Sequence, residues 1–597
     1  MSNPESGASS APHPPSTAQE RPGNVADVRI STPPPHNTAV ALPQTPVAQT
    51  GSAAAKDQHV ILGIAVVDFN HLVGPQVEYS YPQSLLQNED LCKKLPFLAL
   101  PDGSHQSGED FCFFHFDCLS LHPTTIFGIS CNRQITSDEL INKGAHVTRS
   151  TVQKAVVVLA TKAVFGAVRA KLGIVTRAFF AQRDLENLSL LEDFYDTLET
   201  SVAGHDDHAL YMGTSIRSLV YEWRFRALVL FKLLLLQKKI MFFGYPVEKL
   251  CTYQYSLVSL VPGLLGALQD AALPSMDSGP RKKVESLRMS DKKSLLAYMG
   301  LPLPLFGRGA FFQPYCPLQQ LDMLSADSWV IGTTNSIFKK HRSFKPDVIV
   351  DLGSGSLEFS DPALSSIVSL TPADRKWMDG LVASVQSTWN EALPSQPTLM
   401  QFEGSDDYLR GRFEEYLFGL LATSKEVMHG SDSAAAQFGG EFVGAFLRTP
   451  VFMQWDKSTD ETLPGLIEAR HPCNEPVSAV SDIALRVSAG IQDLRLDENL
   501  GPTREAIGAA LSAGGAGIAR IASSWRTDFN KIAGSWGSPK SSGRESQPES
   551  RDSSDSSTWS AAAQEQRNAA LSNFSAFFGS GQRTLATSLR RQRGESA

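Results

Sequence analysis

The sequence predicts an α/β protein whose folded body runs from about Gln58 to about Asp456, between two polar terminal segments. Bulky apolar side chains are scarce up to residue 57 and become frequent abruptly at His59. Apolar runs of strand length then recur through the body, and segments with helical apolar spacing follow and separate them. Beyond Asp456 the chain becomes polar again. Segments as poor in apolar side chains as residues 1–57 bury too little surface to offset the entropy of ordering, so we expect them to be disordered.

Composition narrows the class of protein. The chain of 597 residues has a net charge of −8, which argues against nucleic acid as a partner, because nucleic-acid-binding proteins need a basic surface. Its seven cysteines are scattered and odd in number, as is typical of a reduced cytosolic protein. The longest apolar stretch, Ala227–Phe243, is interrupted by Lys232 and by Lys238. We interpret it as core, and expect any membrane contact to be peripheral.

Residues 58–200 are predicted to form five strands followed by two helices. The run His59–Asp68 is continuous and rich in β-branched residues, as in a buried strand, whereas Val77–Tyr81 alternates between apolar and polar side chains. The other predicted elements are the strands Phe111–Phe116, Thr125–Cys131 and Ala155–Thr161 and the helices Val164–Phe180 and Leu188–Leu198.

Residues 201–356 are predicted to form a second α/β unit with a mostly parallel sheet, because strands and helices alternate there. The predicted elements are a long helix Arg217–Gln237, a strand Lys239–Phe243, a helix Pro246–Leu260 and the strands Phe311–Tyr315, Trp329–Thr333 and Asp347–Leu352. Residues 357–456 are predicted to be helical, through Pro362–Leu370, Ala373–Glu391, Asp406–Val427 and Glu441–Phe446.

Residues 457–500 are interpreted as a linker and residues 501–597 as a mostly disordered tail with an amphipathic segment, residues 507–536. In this segment large apolar residues recur at the three-, four- and seven-residue steps of one helix face. Such a helix could dock on the body or on a partner, or it could lie on a curved membrane. The predicted membrane-binding residues are Ile518, Ile521, Trp525, Phe529 and Trp536.

Two motifs suggest enzyme or metal chemistry, and each has a simpler structural interpretation. The segment Asp347–Ser356 carries a strand into a glycine turn, as in methyltransferases and dehydrogenases, but it lacks the third glycine and the helix of those sites. A strand–turn–strand hairpin also explains the two glycines, and we favour it. The residues Cys112, His115, Cys118 and His122 are of zinc-ligand types, but they lie on a predicted strand and its turn without the usual ligand spacing. We predict neither cofactor nor metal, and no Gly-x-Ser-x-Gly elbow, phosphate-binding P-loop or His-Glu-x-x-His motif is present.

Several longer segments resemble one family, in the same order along the chain. They are Leu95–Gly103, Ile126–Gln134, Thr151–Val156, Phe312–Gln320, Trp329–Asn335 and Tyr408–Phe413. These segments resemble the Avl family of late-secretory-pathway proteins, which belongs to the DENN-domain superfamily. The resemblance covers about residues 58–456, and it does not extend to residues 1–56 or to the tail beyond about residue 460.

The resemblance implies a tripartite DENN-type body with a longin-like lobe at residues 58–200, a central α/β lobe at residues 201–356 and a helical cap at residues 357–456. It also implies a regulator of Golgi-to-surface vesicle traffic that binds a Rab-type GTPase and promotes nucleotide exchange on it. The expected location is cytoplasmic, with peripheral association with Golgi, secretory-vesicle or endosomal membranes. The alternatives are a membrane-associated scaffold without exchange activity and a methyltransferase built around Asp351–Ser356.

A GTPase-binding groove is expected between the lobes. Exchange needs no catalytic side chains, because a factor that binds the nucleotide-free GTPase more tightly lowers the affinity for nucleotide by linkage. The predicted GTPase-binding residues are Pro101, Asp102, Gly103, Arg133, Thr333, Thr334 and Asn335. Each also has a purely structural interpretation, since Pro-Asp-Gly favours a turn and Thr-Thr-Asn a strand end.

Overall fold

The computed structural model describes residues 59–70, 72–143, 150–202, 208–279, 291–341, 344–431, 434–459 and 467–473. The predicted disordered segment, residues 1–57, lies outside the described residues. So does the amphipathic segment, with the predicted membrane-binding residues Ile518, Ile521, Trp525, Phe529 and Trp536. Among the described residues, no helix is both long enough and apolar enough to cross a bilayer.

The first sheet is antiparallel throughout and contains the five predicted strands, which are confirmed. They are β1 (Ile61–Asn70), β2 (Gly74–Tyr81), β3 (Glu109–Cys118), β4 (His122–Thr136) and β5 (Thr151–Ala160). Their order across the sheet is β2-β1-β5-β4-β3, so β3 lies at an edge. The helices α1 (Glu89–Ala99), α2 (Phe165–Ala181) and α3 (Ser189–Val202) complete this first lobe.

Helix α1 is absent from the sequence prediction, although its start carries a recognisable signal. Asn88 accepts the Leu91 N–H at 3.2 Å, and Glu89 and Asp90 follow in the first turn, where acidic side chains complement the helix dipole. Pro96 inside the helix obscures the pattern, because proline usually ends one.

The second sheet has the order β10-β9-β6-β8-β7 and is parallel apart from β10, as predicted. Its strands are β6 (Lys239–Phe243), β7 (Ala310–Gln313), β8 (Ser328–Thr333), β9 (Val348–Asp351) and β10 (Ser356–Phe359). The helices of this second lobe are α4 (His208–Tyr211), α5 (Ile216–Trp223), α6 (Arg226–Leu235), α7 (Val247–Val258), α8 (Lys292–Tyr298) and α9 (Ile337–Lys340).

The prediction of one continuous helix over Arg217–Gln237 is wrong. The backbone leaves helical geometry at Arg224, where φ is +47° and ψ is −129°, and α6 begins only at Arg226. Trp223 before the break is buried, whereas Phe225 after it is exposed. Neither glycine nor proline marks the position, so apolar periodicity alone could not locate the break.

The glycine turn after Asp351 is a hairpin, the simpler of the two sequence interpretations. Ser356 pairs with Asp351 across antiparallel strands, and the Asp351 carboxylate accepts the N–H groups of Gly353 at 2.9 Å and Ser354 at 3.0 Å. The chain therefore continues into a strand and not into the helix whose N-terminus would bind a dinucleotide.

The third part is a helical layer made of α10 (Pro362–Ile367), α11 (Pro372–Ser387), α12 (Asp406–Met428), α13 (Ala435–Phe438), α14 (Gly440–Leu447) and α15 (Pro450–Ser458). Thr371 and Asp374 form a capping box at the start of α11, with Pro372 in the first turn, where proline fits a helix. The predicted helix Ala373–Glu391 ends earlier, at Ser387.

A buried ionic cluster joins this layer to α6 and includes one residue, His471, that the sequence places in a linker. Lys232 Nζ lies 2.6 Å from Asp374 Oδ2, and both side chains are fully buried. His471 Nε2 lies 3.1 Å from Asp374 Oδ1, and the imidazole contacts the rings of Tyr416 and Phe438. Residues 467–473 therefore belong to the packed chain, which continues beyond Asp456.

Candidate partner-binding site

Five of the predicted GTPase-binding residues meet at the carboxyl edge of the second sheet. Asp102 and Gly103 come from the turn after α1, and Thr333–Asn335 end β8. The Thr334 hydroxyl donates to the Asp102 carbonyl at 2.8 Å, and Asn335 Nδ2 donates to the Asp102 carboxylate at 2.8 Å. These residues thus join the first lobe to the second, and we call this set of contacts the joint.

The other two predicted residues have different surroundings. Pro101 is buried at the start of the turn, and its carbonyl accepts the Ser104 N–H at 3.0 Å. Arg133 lies in β4 and pairs with Glu109, which also binds Arg177 at 2.7 Å. Arg133 therefore belongs to a salt-bridge group within the first lobe and not to the joint.

Two tyrosines complete the joint, and neither was predicted from the sequence. The Asp102 N–H donates to Tyr315 Oη at 2.7 Å, and Tyr245 Oη donates to the Asp102 carbonyl at 2.5 Å. Burial raises the pKa of Tyr315 well above its usual value, so its phenol stays protonated. The motif Phe312–Gln320 contained Tyr315, but a phenol within a motif gives no sign of its partner.

Gly103 fits this joint because it has no side chain. Its φ is +82°, a conformation that other residues adopt at a cost. A Cβ there would lie 1.9 Å from Tyr245 Oη. The Pro-Asp-Gly sequence is therefore both a turn, as its composition indicates, and a contact surface between lobes.

Behind the joint, β3 packs directly on α7 and β7, and Asp110 caps α7 from the other lobe. Its carboxylate accepts the N–H groups of Val247 at 2.9 Å and Glu248 at 3.1 Å. Pro246, the residue that precedes α7, offers no side-chain cap. Burial raises the pKa of Asp110, although the hydrogen bonds from the backbone oppose this.

His115 continues this contact at the centre of β3. Its Nδ1 lies 2.8 Å from the Phe312 carbonyl, and its Nε2 bonds the Tyr255 hydroxyl. Complete burial lowers the pKa of His115 to about 3, so the ring is neutral. Because a carbonyl can only accept, Nδ1 carries the proton and Nε2 accepts from Tyr255.

The remaining zinc-type residues also bind protein groups. The Cys112 thiol donates to the Leu98 carbonyl at 3.4 Å, Asn88 Nδ2 donates to Cys118 Sγ at 3.2 Å, and the Thr124 N–H donates to His122 Nδ1 at 3.3 Å. Within the described part of the chain, no group of three or more His, Cys, Asp or Glu side chains is placed to hold a metal ion.

We call the whole contact between β3, its preceding turn and the second lobe the interlobe seam.

Around the seam, the carboxyl edge of the second sheet exposes three large apolar side chains. Phe225, Tyr245 and Ile337 are 44%, 38% and 48% exposed. Lys339 links this edge to the glycine hairpin, since it lies 4.2 Å from the Phe243 ring centre and 2.5 Å from Asp351 Oδ2. We call this surface the edge face.

The break between α5 and α6 adjoins the same surface. Arg226 donates to the Gly355 carbonyl at 2.8 Å, which places the exposed Phe225 beside the hairpin. Strand β6 lies between β8 and β9, so the connection from β8 to β9, which leaves from this edge, crosses over β6. Ligands of open α/β sheets commonly bind at such a point.

Comparison with known proteins identifies the family. The family model described as "Transport protein Avl9" matches residues 61–424. The late secretory pathway protein avl9 of Schizosaccharomyces pombe is 39% identical over 446 residues, which are 70% of this chain and 92% of that protein. The late secretory pathway protein AVL9 of Saccharomyces cerevisiae is 34% identical over 469 residues, 70% of this chain and 61% of that protein.

The matched region contains both sheets, the interlobe seam and most of α12. Both the length of the family match and the identity to the fission-yeast protein exceed what the fold alone would produce. This chain belongs to the Avl9 family of transport proteins.

Proposed function

We propose that this protein acts in the late secretory pathway by binding a Rab-type GTPase at the edge face and promoting release of its nucleotide. The names of the two yeast relatives support the pathway. The main support for the proposed contact is a group of three exposed side chains, Phe225, Tyr245 and Ile337. They lie on a surface that the interlobe seam holds in place. Large apolar anchors on a rigid surface are typical of protein-binding hot spots.

The interlobe seam suits this role because it fixes the relative position of the two lobes. The Asp102 backbone and carboxylate bind Tyr245, Tyr315, Thr334 and Asn335, so the edge face needs little rearrangement before a partner binds. Pre-organisation lowers the entropic cost of association. A GTPase held more tightly without nucleotide than with it then releases nucleotide faster, and the protein need supply no reacting group.

The test is a panel of purified Rab-type GTPases loaded with a fluorescent guanine nucleotide and mixed with the full chain. We expect one or more to bind in the nucleotide-free form and to release nucleotide faster. The variant Ile337→Asp should weaken that binding about tenfold or more, because it places a charge at an apolar contact.

The matched control is Leu119→Asp, in the exposed turn between β3 and β4. That turn lies at the far end of β3 from Asp110 and the edge face, so binding should be unchanged. Binding without faster release would instead indicate a scaffold. A panel with neither binding nor release would refute the proposal, and equal losses in both variants would remove the edge face from it.

We propose further that the protein associates peripherally with Golgi, secretory-vesicle or endosomal membranes through the amphipathic segment, residues 507–536. The support is the apolar stripe of the sequence, which includes Trp525 and Trp536. The full chain should float with small liposomes, and Trp525→Asp combined with Trp536→Asp should abolish flotation. Flotation that survives both substitutions would exclude this segment as the membrane anchor.

A further inference from the structure

The loop between α11 and α12, residues 388–405, exposes an apolar tip. Leu399, Met400 and Phe402 are 84%, 82% and 70% exposed. Leu399 and Met400 also have positive φ, +60° and +52°, which costs free energy for residues with a side chain. Three large exposed apolar side chains on a strained backbone indicate that another segment covers this surface.

The loop is held firmly at its base by the buried side chain of Arg217. The guanidinium donates to the carbonyls of Thr388 at 2.8 Å and Pro394 at 3.2 Å, and also to that of Gly404. Trp389 stacks on Tyr221 with ring centres 3.7 Å apart. The anchors lie at both ends of the loop, so its tip has a defined position in the fold.

The described chain ends close to this tip. The Phe402 ring lies 5.8 Å from that of Tyr408 in the first turn of α12. One turn further along α12, Arg412 donates to the Pro472 carbonyl at 3.3 Å. The Arg470 carbonyl lies beside Gly419, where an added Cβ would be 2.4 Å away. Residues 470–472 therefore run along α12 toward its N-terminus, which is the direction of Tyr408 and Phe402.

The sequence that follows carries a short apolar stripe. Val477, Val480, Ile483 and Val487 recur at three- and four-residue steps, the spacing of one helix face. Pro476 precedes them, and proline is favoured in a first helical turn. The predicted linker of residues 457–500 thus contains a segment that is amphipathic as a helix and needs an apolar partner.

The distances allow contact. Four residues separate Cys473 from Val477 and span up to about 13 Å when extended. Arg412 and Tyr408 are one helical turn apart, about 5.4 Å along the axis, and the ring centres of Tyr408 and Phe402 lie 5.8 Å apart. The stripe can therefore reach the tip directly.

We propose that residues 477–487 form a helix that packs its apolar face on the tip formed by Leu399, Met400 and Phe402. The loop is then an internal docking site, and its occupant is the segment of the same chain that follows Cys473. The contact extends the packed chain beyond the buried His471 and covers the apolar tip.

The test is hydrogen exchange of the full chain, without lipid, at several protein concentrations. Backbone amides of residues 477–487 should be protected in the unmodified protein. The double variant Leu399→Asn and Met400→Asn removes the apolar tip, while asparagine tolerates positive φ. It should speed exchange of residues 477–487 about tenfold or more and leave α12 unchanged. Val480→Asp with Ile483→Asp should in turn speed exchange of the loop, and Leu119→Asn should change neither.

Three results would overturn the proposal. Residues 477–487 could exchange at unprotected rates in the unmodified chain, or keep their protection in the Asn variant. Protection of the loop that grows with protein concentration would assign the tip to a second copy. An unprotected loop that becomes protected only when phosphatidylcholine vesicles are added would assign it to a membrane.

Discussion

Asp110 in the interlobe seam and Asp374 in the helical layer are both buried carboxylates at helix N-termini, yet their surroundings are opposite. Asp110 accepts only backbone N–H groups, those of Phe111, Val247 and Glu248. Asp374 accepts from Lys232 and His471 as well as from Tyr416 and the Thr371 backbone. The carboxylate of the interlobe seam is thus bound by neutral donors only, whereas that of the helical layer is part of a buried ion pair.

The pKa values of the two carboxyls follow this difference. Burial raises the pKa of Asp110, and its neutral donors do not compensate fully. Burial would also raise the pKa of Asp374, but the hydrogen bond from His471 and the charge of Lys232 outweigh it and lower that pKa. Substitution of Asp110 should therefore lower the stability of the interlobe seam only modestly, whereas the helical layer depends on a charged Asp374.

The largest effect is expected from breaking the ion pair. Asp374→Asn leaves Lys232 charged and buried without its partner, so the free energy of unfolding should fall by about 3–5 kcal/mol. Urea unfolding followed by tryptophan fluorescence measures the loss. The double variant Lys232→Met with Asp374→Asn should lose less, because no unpaired charge remains. An equal or larger loss in the double variant would mean that the charge pair is not what stabilises this layer.

A smaller effect is expected at the joint of the interlobe seam. Gly103→Ala forces a side chain into positive φ and displaces the Tyr245 hydroxyl from the Asp102 carbonyl, which should cost about 2–3 kcal/mol. Gly108→Ala is the control, since nothing lies within 4 Å of its added Cβ. Similar urea midpoints for the two variants would show that the joint does not require glycine.

Removing the cap that Asp110 provides for α7 should cost less again. Asp110→Ala should lower the free energy of unfolding by about 1 kcal/mol, the usual value of a helix cap. Hydrogen exchange should show the change in the first turn of α7 and leave α11 unaffected. Faster exchange throughout the helical layer would contradict the independence of the two regions.

The stability contributions of Asp374 and Asp110 should change in opposite directions as the pH falls. Because the folded pKa of Asp374 is lowered, its contribution is present above the unfolded pKa of about 3.9 and is lost as the pH falls through the folded value. Because the folded pKa of Asp110 is raised, this carboxyl binds a proton at a higher pH in the folded protein than in the unfolded chain. The folded state therefore gains stability as the pH falls through the folded value. Urea midpoints from about pH 7 to about pH 3 should show the gap between the unmodified protein and Asp374→Asn closing at the acid end. The gap to Asp110→Ala should widen, and a parallel trend in both would contradict the assignment.

Strand patterns and family motifs predicted both sheets, because strand periodicity depends on neighbours close in the chain. Asp102 and Thr334 were singled out as GTPase-binding residues because they lie in the motifs that resemble the family, and that role stays a prediction. Their contact across the two lobes was not predicted. Tyr245 and Asp110 were missed because their partners are far away in sequence, at Asp102 and Val247. His471 was missed for the same reason, and the break at Arg224 because no glycine or proline marks it.

The cap that Asp110 places on α7 affects how this protein can be cut into pieces. A fragment that begins at residue 201 lacks that cap and exposes the partners of His115, namely Phe312 and Tyr255. A fragment that ends at residue 200 leaves Asp110 and His115 facing water. The two sheets, although their strands form separate ladders, are therefore expected to be expressed, to fold and to be inherited as one piece.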